Sequence, residues 1–396
     1  MKALFQAVNI KINRNIGDMF GSSPKSMKAV AFPCSGAWMI HFNDMDYDEL
    51  ISKTISDYHF LSATLILCLP KTTLSIYGGI GMAKNLIQFQ KGMSIPEFMD
   101  NYGTEQKCRD TLFKMRWPNG FVCPRCGNKT YCEIKGRKLL QCNRCHHQTS
   151  LIADTIFQST HLPLKKWFLA IFLLTQSKNG ISALELRRQL GVSYNAAWRS
   201  KHKLMQVMLE NNDNEKLIDR IEVDDAYLGG KRSGGKRGRG AEGKTPFIAA
   251  VETDRQQHPQ RIKLNKVKGF QNEEIKQWCL KNIYPGSTVV SDGLQCFDAV
   301  VDAKCIHETH IVGGGKKAAE HPSFKWVNTI PGNVKNSLTG TYHAFAQKHV
   351  PRYLAEFQYR FNHRFNLPSM IRDLVQISLI TPPMPARLLT LAEQRW

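Results

Sequence analysis

The chain has 396 residues, 42% hydrophobic and 10% aromatic, which is enough for two or three folded domains and argues against wholesale disorder. Its 54 Lys+Arg against 33 Asp+Glu leave a formal charge of +21, pointing to a polyanionic partner, either nucleic acid or an anionic membrane surface. No apolar run is long enough to cross a bilayer and no signal peptide opens the chain, so a soluble, cytoplasmic protein is expected, with its 11 cysteines as metal ligands and buried thiols.

Residues 1–81 hold 7 Lys+Arg and 6 Asp+Glu, so the basic excess belongs to residues 82–396. They mix Gly-Ser-Pro breaks with isolated apolar patches and show little periodicity, which reads as a disordered or over-called N-terminal extension with Met82 as the authentic start. Patterned sequence follows in a helical lead-in over 82–118, where Ser94-Ile-Pro-Glu97 is a capped helix start.

Cys123-Pro-Arg-Cys126 and Cys142-Asn-Arg-Cys145 are two CxxC knuckles at the spacing of a four-cysteine zinc site. Four thiolates fill the tetrahedron, so the zinc is structural and supplies much of the folding energy of a small ribbon at 119–150. Cys132, His146 and His147 lie nearby but are left over once four ligands are counted. Arg125, Lys129, Lys135, Arg137, Lys138 and Arg144 decorate the ribbon, either as phosphate contacts or as a solvated basic face.

Over 151–213, the apolar helix Leu164–Thr175 precedes Ser182-Ala-Leu-Glu185, a capping box for a helix to Leu190. Gly191-Val192 turns, and Ser193 caps a basic second helix in which Ala197, Leu204 and Met208 face inward. This is a helix-turn-helix pattern, or else an internally packed helical hairpin. In the DNA-reading case Tyr194, Asn195 and Arg199 approach bases, with Lys201 and Lys203 on phosphates.

Beyond residue 214 the strand pattern changes. Ile221–Gly230 reads as a buried strand ending at Asp224, strands at 246–253 and 261–267 follow, and Asn272 caps a helix through Asn282. A fourth strand, Ser287–Ser291, again ends at an acid, Asp292. Three antiparallel strands, a crossover helix and a further strand match the opening of an RNase H-like fold with a mixed sheet, which places the two aspartates at neighbouring strand ends. Facing carboxylates suit two magnesium or manganese ions and two-metal phosphoryl transfer on DNA. Singly, either aspartate is an ordinary turn or cap residue.

From Met82 onward the chain resembles insertion-sequence transposases of the fifteen-ninety-five family. The resemblance rests on CPRC at 123, CNRC at 142, EVDDAYLGG at 222, KRGRGAEGKTP at 236, VVSDG at 289 and WVNTIPGNVKNSLTGTYH at 326. It implies an α+β multidomain chain: zinc ribbon, helix-turn-helix bundle and, at 214–396, an RNase H-like DDE-type catalytic domain with a C-terminal helix. It also implies a magnesium site of Asp224, Asp292 and a third ligand, usually Glu, followed seven residues later by Lys. Here that spacing selects Asn328 and Lys335, with Asn333, Glu320 and Glu308 as rivals. An amide brings no negative charge, so the second ion should bind more weakly. Lys335 then neutralises a phosphate or holds the DNA end; otherwise it is a solvent-exposed helix lysine.

The loop from Lys231 to Lys244 carries six basic residues, including Lys236, Arg237 and Arg239, among five glycines. It suits a DNA backbone, or is simply a disordered loop. In RYLAEFQYRFNHRF, Arg352, Arg360 and Arg364 recur at multiples of four, and their partner (DNA, a second subunit or the domain's own core) stays open. The expectation is a transposase in a bacterial nucleoid that binds the terminal inverted repeats of its mobile element as a dimer or higher oligomer and performs metal-dependent cleavage and strand transfer in DNA recombination. The alternatives are a catalytically decayed DNA-binding protein and a metal-dependent nuclease or resolvase on the same fold.

Overall fold

The computed structural model describes residues 90–212, 215–229, 243–311 and 321–393, together with the backbone of four short strands nearer the N-terminus. The chain divides into two units between Asn85 and Leu86. In the first, Ala29–Cys34 pairs antiparallel with Ala37–Phe42, and Leu65–Cys68 with Thr73–Ile76. The rest of residues 1–81, and Met82, lie outside the described residues.

The second unit begins with the capping box expected at Ser94. Its hydroxyl accepts the Glu97 amide and the Glu97 carboxylate accepts the Ser94 amide, starting helix α1 (Ile95–Tyr102). Thr104 caps α2 (Glu105–Arg116). Strands β1 (Tyr131–Ile134), β2 (Leu139–Cys142) and β3 (Gln148–Ser150) then form an antiparallel sheet. Its own core is small: Phe121 and Leu140 beside Cys123 and Cys142.

Helix α3 (Leu164–Gln176) is apolar on most faces and accordingly buried on most faces. Ser182 caps α4 (Ala183–Leu190), which ends at Gly191 with φ +59°, and Ser193 caps α5 (Tyr194–Asn212) by accepting the Ala196 amide.

The large sheet uses β4 (Arg220–Leu228), β5 (Thr245–Thr253), β6 (Pro259–Lys266), β7 (Thr288–Ser291) and β8 (Ile306–Thr309), in the spatial order β6-β5-β4-β7-β8. The first three pair antiparallel, whereas β4, β7 and β8 run parallel. Alternation along β4 sends Ile221 and Val223 to one face, against α6 (Asn272–Asn282) and the 3-10 turn Gln295–Ala303, through Ile275, Trp278 and Phe297. Ala226 and Leu228 go to the other face, against α7 (Lys325–Tyr342) and α8 (Val350–Asn362), through Val327, Ile330 and Leu354. Gln271, not Asn272, holds the capping position of α6, with no side-chain cap bond.

Helices α9 (Met370–Ile380) and α10 (Ala386–Leu391) complete the unit. Their apolar faces do not return to the large sheet. Met370, Leu374, Val375 and Leu389 join Phe168, Ile171, Leu204 and Met208 in one core with Tyr359 of α8. The C-terminal helices therefore share a core with α3, α4 and α5, which lie on the other side of the expected boundary. The open question about α8 is answered by the same packing. Arg352 bonds Gln206 and the Leu389 carbonyl, Arg360 bonds Glu356, and Arg364 bonds the carbonyls of Pro259 and Gln260, so all three serve the interior of the unit.

Candidate functional site

The parallel register of β4 and β7 sets Val290 beside Glu222, and carrying it two residues further brings Asp292 level with Asp224. Both belong to the face covered by α7, two residues on from Glu222 and Val290 respectively. Gly293, at φ +82°, turns the chain immediately after Asp292, whose carboxylate accepts the Leu294 amide at 3.1 Å.

A third acid joins them. Carboxylate oxygens of Asp224, Asp225 and Asp292 lie within 4.8 Å of one another, the first two half-buried and the last exposed. The strand expected to end at Asp224 runs on to Leu228, with Asp224 and Asp225 opposite Ala249 and Ile248. Asp225 is not among the expected site residues because neighbours on a strand point to opposite faces; the doubled acid is the available signal. The Asp225 amide donates to Asp224 Oδ1 at 2.8 Å, which holds the two together. Three carboxylates this close repel unless a proton or cation lies among them, and hard oxygen donors in that number fit magnesium or manganese.

Asn328 stands half-buried in the first turn of α7. That turn is attached to β4 by Glu222, which is wholly buried and accepts the amides of both Trp326 and Val327 at 3.0 Å. Burial pushes the Glu222 pKa up, against the pull of those amides and of the Arg220 guanidinium at 3.2 Å. Lys335 and Asn333 are exposed further along α7. Glu308 is engaged with His310 at 2.6 Å, and Glu320 lies outside the described residues. Behind Asp292, Ser291 Oγ and His307 Nε2 are 2.8 Å apart, with His307 Nδ1 3.5 Å from Asp298. Ser291 is wholly buried, so this serine–histidine–aspartate line braces the strand end and offers no nucleophile to a substrate.

The four expected cysteines form the second cluster. Cys123 and Cys145 Sγ are 3.6 Å apart, as are Cys126 and Cys142, against about 3.8 Å for a tetrahedron of Zn–S bonds. Both knuckles are built alike: the Cys123 carbonyl accepts the Gly127 amide and the Cys142 carbonyl the His146 amide, with Gly127 and His146 at φ +70° and +55°. The amide of Cys145, then burial and the amide of Arg144, act on the Cys142 thiol and leave it lowered to about 6. Zinc fits this set of thiolates, and the exposed Cys132 is not in it.

On α5, Tyr194, Asn195 and Arg199 are exposed as expected. Lys201 and Lys203 correct the expectation of phosphate contacts. Lys201 is 1% exposed; its ammonium donates to the Ile181 carbonyl and the Tyr342 hydroxyl and lies 3.4 Å from Glu356. Lys203 is half-buried and donates to the Ile156 carbonyl at 2.9 Å. The reason is helical spacing: Lys201 lies four residues after Ala197 and seven before Met208, on the inward stripe. Lys236, Arg237 and Arg239 lie outside the described residues.

Comparison with known proteins adds four findings. Residues 216–362 match the family model described as the ISXO2-like transposase domain, and residues 103–148 match the transposase zinc-ribbon domain. A Halobacterium salinarum protein described as an uncharacterized protein in transposable element ISH50 is 22% identical over 272 residues, 61% of this chain and 90% of the relative. Among solved structures, the Mos1 mariner paired end complex with Mn aligns over 50% of this chain and 77% of that one, at 12% identity and a TM-score of 0.19, too low to relate the folds.

Proposed function

Because residues 216–362 belong to the ISXO2-like transposase domain family and residues 103–148 to the transposase zinc-ribbon family, we propose that this protein cuts the ends of an insertion sequence and joins them to target DNA. The observation that carries the reading is the trio of Asp224 and Asp225, inside β4 just past its last residue paired with β7, and Asp292, immediately after β7. The strand order, three antiparallel and two parallel, supports an RNase H-like catalytic domain.

Asp224 and Asp292 hold the divalent ions, with Asn328 as the third ligand from α7. Two bound magnesium or manganese ions supply activation of the attacking oxygen and neutralisation of the leaving one. Asp225 adds negative charge beside Asp224, and Glu222 keeps the start of α7 against β4. Lys335, two turns beyond Asn328, offers a cation to a DNA phosphate. In the first step water breaks the phosphodiester at the element end and leaves a 3′ hydroxyl. In the second, that oxygen forms a bond to a target phosphorus as the target's own 3′ oxygen departs, so one phosphodiester replaces another.

The zinc ribbon and the exposed α5 residues Tyr194, Asn195 and Arg199 bind double-stranded DNA at the terminal repeats, and the loop carrying Lys236, Arg237 and Arg239 adds backbone contacts. Cutting two ends in register calls for a dimer or larger assembly. Among the described residues no helix is long and apolar enough to cross a membrane.

The test is an in vitro reaction with DNA carrying the element ends, magnesium or manganese, and Asp224→Ala as control. Metal-dependent joining of a 3′ end to target, absent in the control, is the expected result. Cutting without joining would make the protein a nuclease or resolvase, and tight end-binding without cutting a decayed copy whose Asn328 no longer supports a second ion.

A further inference from the structure

A cleft of about 510 Å³ opens where the zinc ribbon meets the first turns of α2 and α3. Its charged lining is Arg109 and Glu105 from α2, Arg137 and Lys138 from the turn between β1 and β2, and His161 and Lys165 at the entry to α3. The one carboxylate in that lining is already committed. Glu105 Oε1 accepts the Leu164 amide at 3.0 Å and Oε2 the Lys165 amide at 3.1 Å, so the carboxylate is held at the start of α3 and offsets one of the four cations around it. The permanent cations Arg109, Arg137, Lys138 and Lys165 are left to set the potential of the cleft. Among the described residues Arg109 is ion-paired with Glu133 at 3.6 Å, whose side chain is 47% exposed, a pairing that solvent largely screens.

The walls are fixed from both sides. Arg116 donates to the carbonyls of Leu151 and Ala153 at 2.7 and 2.8 Å, tying α2 to the segment after the ribbon. Thr160 Oγ1 accepts from the Trp167 indole and the Leu162 amide, bracing the approach to α3. Lys166, beside Lys165, donates to the carbonyl of Gly191, the turn of the helix-turn-helix. The first turn of α3 therefore touches the cleft on one side and the DNA-reading motif on the other.

We propose that this cleft binds a sugar-phosphate strand of duplex DNA, as a second anchoring site between the ribbon and α5. The inference rests on the DNA-binding reading above and extends it to a surface that neither module contains alone. A row of phosphates can be met by cations drawn from three separate segments, and walls held by the hydrogen bonds of Arg116 and Thr160 keep the cleft formed before DNA arrives.

The test uses the full zinc-loaded chain and a fluorescent duplex carrying one element end, with affinity measured across a salt series. Arg137→Gln/Lys138→Gln and Arg109→Gln/Lys165→Gln are compared with Lys281→Gln/Lys304→Gln, an exposed pair beside α6 that changes the net charge equally. Each cleft pair should flatten the slope of log K against log salt by roughly 0.9 per lost phosphate contact, close to 2 in all. The control pair should leave the slope unchanged, and every variant should keep one zinc per chain. Equal flattening in all three variants would reduce the effect to general charge, and no flattening in the cleft pairs would overturn the site while end-binding by the wild type stands. Loss of affinity for poly-glutamate but not for the duplex would make the cleft a peptide site and overturn the inference. A wild type without affinity for the duplex would instead remove the DNA-binding reading beneath it.

Discussion

Glu222 accepts the backbone N–H of Val327 at 3.0 Å, from a wholly buried position two residues before Asp224. The same carboxylate oxygen takes the Trp326 amide, and α7 has no side-chain cap of its own. The strand that carries the first acid thus supplies the anion that starts the helix carrying Asn328. Glu222→Ala leaves the buried Val327 amide and the half-buried Trp326 amide without an acceptor and should cost about 1–3 kcal/mol for the first and less for the second, read as a lowered melting temperature. Glu222→Gln keeps one carbonyl oxygen toward the amides and should recover most of that loss. If the contact also sets the register of Asn328, the magnesium concentration for half-maximal cleavage rises in the alanine variant at temperatures where it is fully folded. An unchanged magnesium requirement would leave Glu222 a purely structural cap.

Asp225 offers a separate test, since it shares the 4.8 Å cluster with Asp224 and Asp292. Asp224→Asn and Asp292→Asn should each lower the cleavage rate by about three orders of magnitude or more, roughly 4 kcal/mol of transition-state stabilisation. Asp225→Asn should act chiefly on the metal, weakening its affinity by about 10- to 100-fold while a saturating concentration restores the rate. Without divalent ions the sign reverses: removing one of three crowded charges should raise the melting temperature in chelator. A lower melting temperature there would contradict the repulsion argument.

Lys201 and Arg199 make a matched pair on α5, one 1% exposed and one on the surface. Burial lowers the Lys201 pKa to about 8 in spite of Glu356, and Arg360 also bonds Glu356 at 2.8 Å. Lys201→Met should destabilise by about 3 kcal/mol, the lower end for breaking a buried pair, because Arg360 remains with Glu356. Its DNA salt dependence should match the wild type. Arg199→Gln should do the reverse, leaving the melting temperature in place and weakening binding to element ends. A flattened salt slope in Lys201→Met would return that lysine to the DNA surface.

These residues also mark where sequence reading works and where it stops. Two CxxC knuckles at fixed spacing declare their own chemistry, and the helix starts at Ser94 and Ser182 are local geometry, so both were legible, although only Ser94 forms the full capping box and Ser182 caps with its hydroxyl alone. Asp224 and Asp292 were legible as a pair because parallel register alone brings the acid after β7 level with one on β4, although β4 continues past Asp224 to Leu228. The charge of Lys201 points to the surface, but its position on the Ala197–Met208 stripe turns it inward, and helical period outweighs charge there. The shared core of α3, α5, α8, α9 and α10 was not legible. An apolar helix face such as Met370, Leu374 and Val375 declares that it must be covered, but not by which of several apolar helices.

His202 carries a pH prediction. It stacks on Trp198 at 3.9 Å, lies 4.9 Å from His349, and its Nδ1 is buried without a hydrogen-bond partner. Burial, then His349, Arg352 and Lys201, push its pKa down to about 2, and burial with Arg352 and Lys348 pushes His349 down to about 4. Both folded values lie below the ordinary 6.5, so the unfolded chain binds more protons in acid. Stability is therefore fully present above pH 6.5 and is lost as the pH falls below it, by up to about 1.4 kcal/mol per pH unit for the better-buried His202. His202→Phe keeps the stacked ring and removes the titration. Its melting temperature should fall less than that of the wild type between pH 7 and 5.5, and parallel curves would show that His202 has no part in acid sensitivity.

The ribbon makes the last prediction, because its core of Phe121, Leu140 and two cysteines is too small to hold the fold without metal. Metal analysis of the purified protein should find one zinc per chain, retained in Cys132→Ser and lost in Cys142→Ser. The helices have their own core, built around Phe168, Ile171, Leu204 and Leu374, and do not depend on the thiolates. A strong chelator should therefore split unfolding into two steps, with residues 119–150 losing amide-exchange protection first and α3, α5 and α9 keeping theirs. Simultaneous loss in both regions would mean that the contacts of Phe113 and Trp117, which touch both cores, make the ribbon and the helices one cooperative unit.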